Sequence, residues 1–263
     1  MATAPSPEEI YASAEKEGRR RLLMPPLEQL STGFIAGVTI VFGIVSLGVT
    51  QALAEPVLGA DLAKVLGALA FGIGLVFLVV GRAELFTENF FDPVAAALDD
   101  RGSSPWTRLA RLWLVILTFN MLGAMVLAAV MTVDGALPAA AHEALVKVAE
   151  EIAGKSPSAT LARAVLAGAL LTLLSYLLHG VTSVTGRILV SYMVGFLVAV
   201  GPFDHVVVSA VHLLFGVWLG GPVGYGDVGR NMALSALGNL AGGILLMTLT
   251  HTAQIKGARG DDR

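Results

Sequence analysis

Cysteine is absent from the 263 residues, which removes disulfides, thiolate metal ligands and cysteine nucleophiles from consideration. Only five histidines are present and none falls in an H-E-x-x-H or similar pairing, so no metal and no cofactor is expected. The nucleotide-binding pattern G-x-x-x-x-G-K and the hydrolase pattern G-x-S-x-G are missing as well. Charge is scarce: 14% of positions are Asp, Glu, Lys or Arg against 55% hydrophobic, more apolar surface than one soluble core of this length hides. The first residues, "MATAPSPEEIYASAEKEGRRRLLMPP", are polar and offer no apolar signal region, so the amino terminus is expected to stay in the cytoplasm. The net charge of −3 says little for a membrane protein; no nucleic-acid partner is expected, and the bilayer is the expected solvent.

Apolar runs of roughly 20 residues, the length that crosses the hydrocarbon as a helix, recur along the chain. Residues 30–54, 112–133, 164–186 and 231–250 read as four spans. Two further candidates, about 65–98 and 188–219, are overlong and interrupted near their middles. The expected class is an all-α membrane protein with six transmembrane helices, two of them broken. Lys and Arg orient it: with the amino terminus inside, eleven of them fall in cytoplasmic segments and five outside, which favours both termini in the cytoplasm of an inner-membrane protein.

The expected organisation is a cytoplasmic amphipathic segment over 1–29, a six-span channel domain over 30–251, and a tail over 252–263. The amphipathic helix runs over about 7–28, capped by Ser6. Within the domain, repeat one covers about 30–133 and repeat two about 159–251. Between them, "PAAAHEALVKVAEEIAGKSP" reads as a short outside helix ending at Gly154. The repeats share a pattern. "FNMLGAMVL" and "LGNLAGGILL" both set Asn, two apolar residues, Gly and a small residue in sequence: Asn120 with Gly123 and Ala124, Asn239 with Gly242 and Gly243. Three spans with the middle one broken, repeated once, make the second copy inverted, an arrangement that places a transport site where two broken helices meet at the midplane.

The breaks carry the chemistry. "GRAELFTEN" and "GPFDHVVVS" interrupt the second and fifth spans, and each orphaned backbone group in hydrocarbon costs several kcal/mol unless protein or water satisfies it. Asp204 and His205 at that depth are functional candidates, because ionisable groups inside a membrane are costly to keep. Thr87 offers a hydroxyl to the pore or to a helix cap. Arg82, Glu84 and Glu88, with Asp92, form either an ion-pair cluster holding the loop or, through Arg82, a positive vestibule for anions.

"AELFTEN" and "FDHVVVSAV" resemble the loop motif and the fifth-span segment of the formate/nitrite transporter family, with the likeness extending over roughly 31–251. The resemblance implies a homopentamer with one pore per protomer, aquaporin-like in outline, passing small monovalent anions such as formate or nitrite, or their neutral acids together with a proton. It also implies that Leu85, Phe86 and Thr87 narrow the cytoplasmic side, that Phe71 and Leu75 are apolar constrictions, and that His205 is the central histidine. Val198 stands where an aromatic gate is common, and Asp204 where glutamate is usual. Arg82 and Glu88 are charged where better-known members tend to be small or neutral. Two readings stay open beside transport of anions. One is a neutral-solute channel, although the paired N-P-A signature is missing, and the other is a non-conducting membrane scaffold. An enzyme built on Asp204 and His205 is not expected, since no nucleophile or metal set accompanies them.

Overall fold

The structure, a computed structural model, describes residues 5–100 and 104–261, with side chains described as far as 257. Arg101, Arg259 and Arg263, counted in the charge balance, lie in whole or in their side chains outside the described residues. All regular structure among the described residues is helical.

Helix α1, Pro7–Leu22, starts at a capping box in which Glu9 N–H donates to Ser6 Oγ and Ser6 N–H donates to Glu9 Oε2. Its buried residues Tyr11, Ala14, Gly18 and Leu22 recur every three or four positions and form one face. The helix ends at Leu22, short of the expected residue 28, because Pro25 and Pro26 open the next helix instead.

Helix α2, Pro26–Val80, is 55 residues long, about 80 Å at 1.5 Å per residue and far more than one crossing needs. Gly59, at φ 79 and ψ 165, turns it into two arms. Only glycine takes that conformation without strain. The arms lie back to back: a Cβ on Gly43 would meet Phe71 O at 2.8 Å, and one on Gly74 would meet Gly43 Cα at 2.8 Å. The first two expected spans are therefore joined by a few residues around Gly59, not by the loop implied for 55–64.

After the first break come a 3₁₀ turn, Phe86–Phe90, then α3, Asp92–Asp99, and α4, Ser104–Met131. Helix α5, Ala139–Ala153, ends at Gly154 as the sequence implies. Helix α6, Pro157–Gly180, is followed by α7, Val184–Val200, the second break, and α8, Val206–Trp218. Helix α6 stops six residues before the expected end, and Ser183 caps α7 by accepting from Gly186 N–H. Helix α9, Tyr225–Ala241, passes through a π-helical stretch, Gly242–Thr248, into α10, Leu249–Asp261.

Among the described residues, four helical stretches are long and apolar enough to cross a membrane: Pro26–Val80, Ser104–Met131, Pro157–Gly180 and Tyr225–Gly257. Large apolar side chains stay exposed along them and along α7, Leu114, Leu189 and Leu237 among them, as expected where lipid or a neighbouring protomer is the solvent.

Candidate functional site

The chain breaks its helices at two places and repairs the backbone in the same way at both. At the first break, Asn120 Oδ1 accepts from Phe86 N–H at 2.9 Å, while its Nδ2 donates to Glu84 O at 2.9 Å and Gly33 O at 2.8 Å. At the second, Asn239 Oδ1 accepts from Val206 N–H at 3.0 Å, and its Nδ2 donates to Asp204 O at 3.0 Å and Ala164 O at 2.8 Å. Both asparagines are fully buried. An asparagine suits this duty because one side chain supplies the acceptor and the two donors that an opened backbone lacks.

Glycines let the supporting helices close on these residues. A Cβ on Gly37 would sit 2.0 Å from Asn120 O, and one on Gly168 would sit 2.1 Å from Asn239 O. Each half therefore uses the same asparagine bonds and the same close approach. The sequence displayed the asparagine pattern, but nothing in it disclosed that the amides bridge to the breaks.

Around the first break, Thr32 Oγ1 accepts from Glu84 N–H at 3.0 Å, and Leu85 N–H donates to Glu88 Oε2 at 3.4 Å. Arg82 takes the left-handed conformation at φ 54, and its exposed side chain makes no ion pair among the described residues. The ion pairs of the loop come from α1 instead. Arg21 reaches Glu84 at 3.1 Å and Asp92 at 3.6 Å, and donates to Glu88 O at 3.2 Å; Arg20 reaches Glu84 at 3.3 Å. Burial opposes the charge on Arg21, yet Glu84, Asp92, Glu17 and Glu88 outweigh it and hold the guanidinium above its usual value. His179 Nε2 meets Asp92 Oδ1 at 3.0 Å and its Nδ1 meets Ser13 Oγ at 3.1 Å, which ties α1 down a second time. Nothing local signals this partnership beyond the run Arg19, Arg20 and Arg21, because α1 meets the loop only in the fold.

The breaks meet at Thr87 and His205. Thr87 Oγ1 lies 2.8 Å from His205 Nε2, and both residues are buried. His205 also caps α8, its Nδ1 taking the Val208 N–H at 3.4 Å. A backbone N–H can only donate, so Nδ1 is the acceptor and the neutral ring carries its proton on Nε2, toward Thr87. Thr87 itself sits inside the 3₁₀ turn and does not cap a helix. Asp204 turns away from the ring: Oδ1 is held by Lys155 Nζ and, at 3.3 Å, by Ser209 Oγ, while Oδ2 is buried without a partner. Lys155, which follows α5, escaped sequence reading since nothing local links it to a break fifty residues on. Burial draws its ammonium below the ordinary lysine range, against the pull of Asp204.

Two cavities border residues of the breaks. One, of about 440 Å³, is lined by Phe71, Val198, Lys155, Asp204, Ser209 and His212. The other, of about 720 Å³, lies beneath α1 and is lined by Arg20, Arg21, Arg82, Glu84, Glu88 and Asp92 among others. Leu75, Leu85, Phe86, Thr87 and His205 line neither and are all buried. Phe71, Val198 and Asp204 border the first cavity, and Arg82, Glu84 and Glu88 the second.

Comparison with known proteins gives one consistent result. The family model for formate/nitrite transporters matches residues 8–253. A probable formate transporter of Methanothermobacter thermautotrophicus is 31% identical over 236 residues, 83% of this chain and 85% of its own. The inner membrane protein YfdC of Escherichia coli K12 is 26% identical over 255 residues, 97% of this chain and 80% of its own. Among solved structures, an FNT family ion channel superposes with TM-score 0.76 at 19% identity, over 94% of this chain and 98% of that one. A pentameric formate channel with formate bound superposes with TM-score 0.69 at 18% identity, over 92% and 98%.

Proposed function

The chain belongs to the formate/nitrite transporter family, and from that premise we propose that it carries small monovalent anions such as formate or nitrite across the inner membrane, one pore per protomer of a homopentamer. Six crossings form each protomer: the two arms of α2, α4, α6, the α7–α8 pair, and α9 with its continuation. The halves are an inverted repeat, which the matching bonds of Asn120 and Asn239 support. Both termini face the cytoplasm, so the cavity beneath α1 is the inner vestibule and the cavity at Lys155 the outer one.

The observation that carries the reading is the bond between Thr87 and His205, one residue from each break; with Leu75, Leu85 and Phe86, in this reading, they make the wall between the two cavities. A bare anion on that wall would lose hydration worth many kcal/mol, whereas its neutral acid loses little. Lys155 and the amino terminus of α8 draw the anion from outside. At the partition it crosses Phe71, Leu75, Leu85, Phe86 and Val198 as the neutral acid. The Nε2–H of His205, given to Thr87 at rest, is the donor that a passing carboxylate or nitrite meets. The reading includes no enzymatic step.

Uptake of formate and nitrite into proteoliposomes tests it. Acidifying the outside should speed uptake, because the neutral acid is the species that clears the partition. A rate equal to that of protein-free liposomes, or one indifferent to outside pH, contradicts the mechanism.

A further inference from the structure

Glu88 follows Thr87 directly and is the carboxyl of the inner vestibule that the ion-pair network leaves out. Glu84 has Arg20 and Arg21, and Asp92 has Arg21 and His179. Glu17 and Glu28, on the same cavity, are held by Arg20, and Glu17 also by Arg21. Glu88 is 5% exposed; its Oε2 meets only the Leu85 N–H, at 3.4 Å, and its Oε1 is buried with no partner. Arg21 contacts the backbone carbonyl of Glu88, at 3.2 Å, without forming an ion pair with the carboxylate. The remaining cations around the cavity, Lys16, Arg82 and Arg187, make no ion pair with it either. A carboxylate in that position is buried beside Glu84 and Asp92 with no ion pair of its own, Arg21 reaching only its backbone, whereas a carboxylic acid keeps the one bond it has and costs little.

We propose that Glu88 is the proton donor and acceptor of the inner vestibule, handing its proton to an anion that enters from the cytoplasm and taking one back from an acid that arrives from outside. The inference rests on the transport reading above. For export, the O–H bond of Glu88 breaks as a new O–H bond forms on formate, leaving formic acid and the Glu88 carboxylate. Arg21, already fixed to the same residue, stabilises that transient charge. A proton from vestibule water restores the acid. His205 then meets a permeant that is already neutral, and Thr87 links the two groups through adjacent backbone.

The test uses full-length protein in oriented proteoliposomes, with formate as the probe and pH varied on the α1 side alone. Wild-type efflux should rise as that side is acidified. Glu88→Gln keeps the shape and removes the proton; it should slow efflux about a hundredfold or more, within the range of a positioned general acid, and flatten the α1-side profile. Glu88→Asp should restore the pH dependence. Wild-type rate and profile in Glu88→Gln overturn the proposal. Failure of the wild-type protein to carry formate at all instead overturns the transport reading beneath it. Infrared difference spectra of the wild-type protein, which need no variant to fold, should show a protonated carboxyl band at neutral pH that bleaches when the α1 side is made alkaline. A spectrum without that change also overturns the proposal.

Discussion

Replacing Asn120 by alanine removes three hydrogen bonds and leaves the first break open. Gly33 O belongs to a helix and retains its own ladder partner, so two groups become true orphans: Phe86 N–H and Glu84 O. A buried backbone group left unsatisfied costs about 1–3 kcal/mol, and with the loss at Gly33 the total is about 3–6 kcal/mol. Domain stabilities are of the order of 5–15 kcal/mol, so the substitution consumes much of the margin. At about 2–4 °C per kcal/mol for a chain of this size, the melting temperature in detergent should fall by roughly 6–24 °C. Asn239→Ala should cost a similar amount, because it holds the second break by the same set of bonds. Asn120→Asp is the sharper probe. It preserves size and the acceptor for Phe86 but sets a carboxylate against two carbonyl oxygens, so it should be no more stable than alanine. The assay is thermal loss of the assembled oligomer, followed by size-exclusion chromatography. An Asn120→Ala protein melting within about 2 °C of wild type, on the same conversion, refutes the claim that this amide carries the break.

Gly37→Ala and Gly242→Ala should each fail to assemble normally, since the added Cβ would lie 2.0 and 1.9 Å from backbone oxygens; Gly226→Ala, with nothing within 4 Å, should leave the melting temperature unchanged or slightly higher. Arg21→Ala leaves Glu84 and Asp92 short of their shared cation and should cost about 3–5 kcal/mol in the same melt, with Arg21→Lys recovering part of it. Burial pushes the Glu17 carboxyl up, but Arg20 and Arg21 outweigh it and hold the group below its ordinary value. Its contribution to the stability of α1 is therefore present above the ordinary glutamate range and lost as pH falls through the lowered one. Protease cleavage within α1 should accelerate on that acidification and not before. Native mass measurement in detergent should give a pentamer, and a stable monomer or dimer contradicts the assembly.

The sequence showed what depends on composition and local grammar. The apolar runs, the Ser6 cap, the Gly154 stop and both interruptions, at 81–85 and 201–205, could be read because each is set by residues adjacent to it. Helix ends were less legible. Gly59 turns α2 in a single residue where a run of loop was expected, and the π-helical stretch after Ala241 has no local signature. The meeting of the two breaks followed from treating the halves as copies, whereas the bond of Thr87 to His205 and the partners of the charges did not. Arg82 stood next to the acids in sequence, yet Arg20 and Arg21 stand next to them in space. Lys155 reaches Asp204 across a similar gap. Long-range ion pairs leave no periodicity, so they had no trace in a single chain.

Flux through His205→Phe proteoliposomes tests the central claim most directly. The substitution removes the ring nitrogen that bonds Thr87 and the N–H offered to the permeant, while an aromatic side chain still fills the space. His205→Asn, which retains a donor but cannot titrate, identifies any loss due to assembly alone when its oligomer size is compared with wild type. The expected result is an assembled His205→Phe oligomer that carries formate and nitrite no faster than protein-free liposomes. Transport of either at the wild-type rate by that assembled oligomer contradicts the account and places the transport site away from the junction of the two breaks.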